Sequence, residues 1–242
     1  MQSVALKLLL WVALASPTAR AFDWSVTELH LQLGELEAPD FLGGQHAVTR
    51  VITLQHAHGW ALGDNFLFLD YLDDGVDDGF NDHDWYGEWY GNLSLGKLFE
   101  TPLGYGPVQD VGILLGVNAA ADAKVLKLLP GLRLDWSLPG FAFLHTDLMA
   151  TIDFSAGLRR GGAPQESNSF LFDINWQLPF TLVAQAFSLE GHIEYAGRRQ
   201  NELGFQVNDW ILAQPQLRWD MGRALLNEDD RLFMGVEYQF WW

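Results

Sequence analysis

The 242-residue sequence contains no cysteine and has a formal net charge of −17, from 14 basic and 31 acidic side chains. The lack of cysteine excludes a disulfide-stapled scaffold, a thiol nucleophile and thiolate metal sites. The acidic balance argues against nucleic acid, or the headgroups of an anionic membrane surface, as a partner, because both bind basic proteins.

The first 21 residues have the pattern of a secretory signal peptide. Lys7 supplies the positive charge, residues 8–15 form an apolar run, and Ala19-Arg20-Ala21 is a small-x-small cleavage site. The apolar run is too short to cross a membrane as a helix. We therefore expect cleavage after Ala21 and a single domain over residues 22–242.

Alternation of apolar and polar side chains predicts an all-β chain of eleven strands. The predicted strands, in chain order, are centred on 27–33, 49–57, 66–72, 86–95, 108–118, 125–136, 141–152, 170–176, 182–195, 210–220 and 232–242.

The predicted connections alternate in length. Those after odd-numbered strands are long or polar, at 34–45, 73–84, 153–169 and 196–204. Three connections after even-numbered strands are predicted tight turns, at 59–64, 137–140 and 177–180, and two are longer, at 97–107 and 222–230. Long loops on one rim and short turns on the other are typical of a β-barrel in a bacterial outer membrane.

Tryptophans gather near both predicted rims, as expected where hydrocarbon meets lipid headgroups. On the short-turn rim these are Trp24, Trp60, Trp136, Trp176 and Trp219, and on the long-loop rim Trp85, Trp210, Trp241 and Trp242.

The alternation gives each strand an apolar and a polar face. In the fourth strand Trp85, Trp89 and Leu93 oppose the face of Tyr86 and Glu88. If the apolar face meets lipid, the polar face lines a lumen. Arg133 and Arg218 then point inward, because a lipid-facing arginine costs about 2–4 kcal/mol at mid-depth. We therefore expect an antiparallel transmembrane β-barrel.

Several motifs make the sequence similar to a known family. W-Y-G-E-W-Y-G-N-L-S-L-G-K-L at 85–98 resembles the nucleoside-specific channel-forming outer-membrane proteins, the Tsx-like family. Supporting motifs are H-A-x-G-W and G-D-N-F-x-F at 56–68, G-P at 106–107, L-P-G-F at 138–141, W-x-x-P-F at 176–180, P-Q-L-R-x-D at 215–220 and G-V-E-Y-Q-F-W at 235–241.

This resemblance implies a twelve-stranded barrel through which nucleosides diffuse passively. The sequence ends at Trp242, where the family continues into a final hairpin. About eleven of the twelve strands are therefore expected, and two alternatives stay open: a chain truncated before its last strand, or a barrel that closes differently.

The resemblance also implies where solutes bind. Tyr86 and Tyr90 would stack on a nucleobase, while Glu88 and Asn92 would hold ribose hydroxyls. Alternatively, these groups form an ion-pair network that only shapes the pore. The partners implied are nucleosides or small polar solutes and outer-membrane lipid, with no cofactor. The further lumen candidates are Glu28, Glu190, His192, Glu194, Arg218, Glu237 and Gln239.

Two features were considered as metal sites. The acidic loop 73–84 fails the calcium-loop pattern, because Val76 and Trp85 occupy the third and twelfth positions counted from Asp74. His56 and His58 share a strand face but have no evident third ligand. The sequence thus predicts no metal site and a hydrated extracellular loop.

Two other functions remain open. An outer-membrane barrel lipid hydrolase would use Ser155, Ser167 or Ser169, although no G-x-S-x-G motif is present. A soluble periplasmic ligand-binding β-barrel is the other alternative. The solute and the oligomeric state are not fixed by the sequence.

Overall fold

The computed structural model describes residues 22–37, 46–76 and 82–242. The predicted signal peptide, residues 38–45 of the predicted loop 34–45 and residues 77–81 of the predicted loop 73–84 lie outside these ranges. The described chain is almost entirely antiparallel β-structure in one large sheet. The all-β prediction is therefore confirmed. No helix among the described residues is both long and apolar enough to cross a membrane.

Nine long strands form a continuous antiparallel meander, each paired with the next. They confirm the first nine predicted strands, with shifts of a few residues at the ends. They are β1 (Trp24–Glu37), β2 (His46–Trp60), β3 (Gly63–Asp73), β4 (Asp84–Ser94), β5 (Val108–Ala120), β6 (Val125–Trp136), β7 (Phe143–Asp153), β8 (Ser169–Leu182) and β9 (Gln185–Ala196).

The last two predicted strands are each split into two segments. A small hairpin of β10 (Arg199–Gln200) and β11 (Gln206–Val207) precedes them. Next, β12 (Trp210–Ala213) and β13 (Gln216–Asp220) both pair with β9. Finally, β14 (Phe233–Glu237) pairs with β13, and β15 (Phe240–Trp241) pairs with β12.

The interruption between β12 and β13 has a local cause. Pro215 has no N–H to donate to a strand ladder. Opposite it, Gly191 has a φ of 139°, and a Cβ added there would lie 2.2 Å from the Gln214 carbonyl oxygen. The backbone therefore makes a close approach at this point, which a side chain at residue 191 would prevent.

One predicted turn is wrong. Residues 177–180 were expected to form a tight turn, but β8 continues through them, and Gln177 to Leu182 pair in register with β9. The actual turn is Val183–Ala184, both with positive φ. Beyond Gln177, β8 has no β7 partner, so Pro179 pairs on one side only, as prolines in strands do.

The other turns fall where the pattern placed them. Residues 61–62 join β2 to β3, and residues 137–142 join β6 to β7. The two longer connections on this rim contain short helices, α1 (Leu95–Leu98) and α2 (Met221–Leu226). The opposite rim carries the connections after β1, β3, β5, β7 and β9.

The sheet curls into an open half-barrel. The strands at its two ends, β1 at one and β14 and β15 at the other, each pair with one neighbour only, so the sheet does not close among the described residues. Side chains nevertheless link the two ends, because Arg218 on β13 hydrogen-bonds to Glu28 on β1. The barrel-like curvature is therefore present, while the described residues do not show a closed transmembrane barrel.

The two faces of the sheet differ sharply in polarity. On the convex face, Leu31 and Leu33 are 76% and 73% exposed, and similar apolar side chains cover the other strands. On the concave face, Arg133 and Asp147 are only 5% and 2% exposed. The sheet therefore has its apolar face outside and its polar face inside, the reverse of a protein that buries an apolar core. The apolar core of the concave side is small and consists of Leu114, Leu129, Met149 and Leu171, with Tyr90 against it.

Candidate functional site on the concave face

Three side chains of β4 form the centre of the concave face. Tyr86, Glu88 and Tyr90 alternate inward, as predicted, because successive strand residues point to opposite faces. The Tyr86 hydroxyl donates to Glu88 Oε1, and the Tyr90 hydroxyl donates to Glu88 Oε2 at 2.9 Å. Asn118 on β5 also donates to Glu88, at 2.9 Å. The sequence did not single out Asn118, whose signal is its polar position on the inward face of β5.

Asn92, the fourth predicted member of this face, serves a different purpose. Its Nδ2 donates to Asp64 on β3 at 2.8 Å, and its side chain is buried. Gly112 on β5 leaves the room it needs, since a Cβ added there would lie 1.9 Å from Asn92 Oδ1. The structure therefore places Asn92 between strands rather than beside open space.

A buried arginine cluster lies on the neighbouring strands. Arg133 on β6 donates two hydrogen bonds to Asp147 on β7, at 2.8 and 2.7 Å, and a third to Asp64 at 3.2 Å. Arg133 points inward, as predicted. Asp147 was not among the predicted lumen residues, although it lies on the polar side of the alternation in β7.

A second arginine cluster connects the two ends of the sheet. Arg218 donates to both Glu28 oxygens, at 3.0 and 3.1 Å, and to Glu190 at 2.5 Å. His30 Nε2 lies 2.8 Å from the same Glu28 carboxylate. Three predicted lumen residues are thus brought together, from strands far apart in the sequence.

A cavity of about 340 Å³ lies beside this cluster at the short-turn rim. It combines carboxylates, arginines and three phenylalanines. Its lining residues are Glu28, Gln177, Pro179, Phe180, Thr181, Ala186, Phe187, Ser188, Glu190, Arg218, Asp220, Arg223, Asp229, Asp230 and Phe233.

His192 and Glu194 form a third group with Asp173 of β8. His192 Nδ1 lies 3.2 Å from Asp173 Oδ2, and its Nε2 lies 2.7 Å from Gln214 Oε1. Glu194 is 8% exposed, and its carboxylate has a ligand atom within 4.8 Å of those of the other two residues. Asp173 was missed in the sequence as a candidate, although it alternates with Phe170 and Phe172.

The two remaining candidates lie at the last strands. Glu237 accepts hydrogen bonds from Gln216 and, at 3.3 Å, from Gln214. Gln239 falls between β14 and β15 and is only partly exposed. Neither contacts the tyrosine pair of β4.

An acidic side chain at the long-loop rim binds two cations. Glu166 accepts from Lys127 and from Arg199, both at 2.7 Å. Burial raises the pKa of the Glu166 carboxyl, but the hydrogen bond from Arg199 and the charge of Lys127 outweigh it, so its net pKa is below the ordinary value. Glu166 is therefore ionised well into the acid range.

The serine candidates for a hydrolase are engaged elsewhere. The hydroxyl of Ser155 accepts from the Leu126 N–H, and that of Ser167 accepts from the Gln200 N–H. Ser169 donates to the Arg198 carbonyl. Within the described ranges, no hydrogen bond joins these hydroxyls to a histidine.

The histidine pair and the described part of the acidic loop bond within themselves and to adjacent strands. His56 Nε2 lies 3.1 Å from His58 Nδ1, and Phe22 packs on the His58 ring. In the described part of the acidic loop, Asp73 and Asp74 accept from the backbone N–H groups of Gly75 and Val76. Residues 77–81 lie outside the described ranges.

Taken together, the concave face is acidic and well bonded. The carboxylates outnumber the cationic groups Arg133, Arg218 and Lys127. Such a surface can hold hydroxyl and amino groups, and it repels anions. Neither a scan against protein-family models nor a search of curated proteins finds a match to this sequence.

Proposed function

We propose that the chain forms the wall of an outer-membrane β-barrel through which nucleosides or similar small polar solutes diffuse. The observation that carries the proposal is the reversed polarity of the sheet. Its convex face presents leucines such as Leu29, Leu31 and Leu33 to the surroundings, while its concave face holds charges. A protein surrounded by water buries its apolar face instead.

The energetics favour hydrocarbon around the convex face. Covering one exposed leucine side chain is worth about 1.5–3 kcal/mol. Exposed apolar residues occur on every long strand, including Ile113, Leu132, Leu148 and Leu189. Together they form a patch much larger than a monomer in water normally tolerates. Tryptophans at both ends of the strands fit the two interfaces of a bilayer.

The chemistry of the concave face suggests the class of solute. Tyr86 and Tyr90 supply aromatic rings, and the carboxylates accept hydrogen bonds from sugar hydroxyls. The excess of carboxylates repels phosphate groups. We therefore infer that neutral nucleosides pass and that nucleoside monophosphates are held back.

Fractionation tests the membrane placement. The expressed protein should sediment with outer membranes, require detergent for extraction, and migrate differently on gels before and after heating. Recovery in the periplasm without detergent would overturn the proposal and favour a soluble ligand-binding barrel. Lipid hydrolysis lost on serine modification would favour the hydrolase.

Solute flux tests the site. Proteoliposomes should take up nucleosides faster than nucleoside monophosphates, and Tyr86→Ala with Tyr90→Ala should change that uptake. The matched control is Tyr105→Ala, whose ring is 93% exposed in the β4–β5 connection. Uptake that changes no more than in the control would remove both tyrosines from the site. Equal rates for nucleosides and their monophosphates would contradict the inferred selectivity.

A further inference from the structure

We propose that Asp173, His192 and Glu194 bind a transition-metal cation, with Zn²⁺ as the best fit. Asp173 lies on β8, and the other two residues alternate on the same face of β9. Each supplies one ligand atom, and these atoms all lie within 4.8 Å of one another. Strand pairing sets Asp173 directly opposite Glu194.

The state of Glu194 points to a missing ligand. Its side chain is more than nine-tenths buried, yet no described side chain or backbone group donates a hydrogen bond to it. Buried carboxylates normally have donors, because an unpaired buried charge is strongly unfavourable. The neighbouring carboxylate of Glu88 follows this rule, with three donors. Glu194 has no such donor, and a bound cation would supply a partner for its carboxylate.

The surrounding charges agree. The groups that act electrostatically on Glu194 are Glu88, Asp173, His192 and Lys127. Lys127 is already paired with Glu166 at 2.7 Å. Three carboxylates therefore share one imidazole, which leaves a local excess of negative charge that a divalent cation would balance.

The donor set selects the type of metal. One imidazole nitrogen with two carboxylate oxygens suits Zn²⁺, whereas Ca²⁺ and Mg²⁺ prefer oxygen ligands alone. His192 Nδ1 and Asp173 Oδ2 are 3.2 Å apart. This is close to the roughly 3.3 Å that separates neighbouring ligand atoms around a tetrahedral zinc. Glu194 would approach by up to about 1.5 Å through rotation of its side chain.

An outer contact completes the arrangement. The Nε2 atom of His192 lies 2.7 Å from Gln214 Oε1. When Nε2 carries the proton and donates it to this oxygen, Nδ1 presents its lone pair toward Asp173 and Glu194. A partner on the second ring nitrogen is typical of histidines that bind metals. Three protein ligands leave one position for water or a solute atom.

The sequence could not show this site, because its ligands come from two strands and no ligand-spacing motif joins them. The spacing of His192 and Glu194 places them on one face, and only the register between β8 and β9 adds Asp173. The proposal does not depend on transport, since it concerns binding of an ion by the folded chain.

Calorimetry with Zn²⁺ on the detergent-refolded full chain tests the proposal. All proteins carry His58→Ala, so that the partly buried pair of His56 and His58 does not bind the ion. We expect one Zn²⁺ per chain, and at least tenfold weaker binding in Glu194→Gln. Binding of Ca²⁺ should be at least a hundredfold weaker than that of Zn²⁺.

Glu190→Gln is the matched control. Glu190 lies on the same face of β9, about 13 Å along the strand from Glu194, and bonds to Arg218 instead. Its Zn²⁺ affinity should stay within twofold of the parent, and a given Zn²⁺ concentration should raise the unfolding temperature of this variant more than that of Glu194→Gln. Glu194→Gln replaces a carboxyl group that has no hydrogen-bond donor with an amide of nearly the same shape, so it should still fold. Equal Zn²⁺ affinity in the two variants, or no Zn²⁺ binding by the parent, would overturn the proposal.

Discussion

Two arginines of the concave face each hold a carboxylate with two hydrogen bonds, yet they join different parts of the molecule. Arg133 binds Asp147, 14 residues away on the adjacent strand, and both are buried. Arg218 binds Glu28, 190 residues away on the first strand. The first pair fixes two neighbouring strands, whereas the second connects the ends of the curled sheet. Identical chemistry therefore stabilises local register in one place and a long-range contact across the curled sheet in the other.

The solvent exposure of each ion pair determines how much stability is lost when the pair is broken. Water barely reaches Arg133 or Asp147, so an unpaired charge there stays unsolvated. The Arg218 and Glu28 side chains keep some solvent contact, and Glu28 has a second partner in His30. Water and His30 can compensate Glu28 in part. Breaking the two pairs should accordingly have unequal effects.

The largest effect is expected for Asp147→Ala. This change leaves the Arg133 guanidinium buried without its bidentate partner, so the free energy of unfolding should fall by about 3–5 kcal/mol. Denaturant unfolding in micelles, followed by tryptophan fluorescence, measures the loss. The control, Asp229→Ala in an exposed connection, should stay within about 0.5 kcal/mol. A loss as small as the control's would mean that Arg133 is satisfied by Asp64 alone.

A smaller effect, of different character, is expected for Glu28→Gln. Loss of a charged hydrogen-bond acceptor should lower the free energy of unfolding by about 1–3 kcal/mol. The two ends of the sheet should also separate more freely. Spin labels at Leu31 and Val236, both exposed on the convex face near these ends, would report a broader distance distribution.

Glu35→Gln is the control for this measurement, because Glu35 is exposed on the same strand. It should leave the label distances unchanged. If Glu28→Gln also left them unchanged, the ends of the sheet would have to be held by contacts other than the Arg218 pair, and the contrast between the two arginines would fail.

The smallest effect is expected at the rim, where Glu166 binds Lys127 and Arg199. Its folded-state pKa is below the ordinary value of 4.5, so its contribution to stability is full above that value and is lost as the pH falls through the folded pKa. Glu166→Gln should cost about 1 kcal/mol at pH 7. The difference from the parent should shrink below pH 4.5. A difference that stays constant to pH 3 would show that the charge of Glu166 is not the stabilising feature.

The strands and their faces were predictable because apolar and polar residues alternate within each strand segment. In β1, Leu29, Leu31 and Leu33 are on one face, with Glu28 and His30 on the other, and the structure retains that division. The wrong turn at residues 177–180 has an instructive cause. Pro179 resembles a turn residue locally, but an unpaired side of β8 accommodates it within the strand.

The partners of the polar side chains were not predictable. The alternation pointed Tyr86, Glu88, Glu190 and Arg218 inward, but nothing in their spacing said which of them would bond together. Asn92 is an example. From its inward position we predicted a contact with the solute. In the structure its side chain donates a hydrogen bond to Asp64 on the adjacent strand.

The sequence by itself thus determined the all-β class, most strand positions and which side chains share a face, because these depend on the two-residue period of a strand. Tertiary structure alone decided that Glu28 on β1 bonds to Arg218 on β13, that Asp173 faces Glu194, and that Arg133 and Arg218 have different partners. These outcomes depend on strand register and sheet curvature, which arise from contacts between residues distant in the chain.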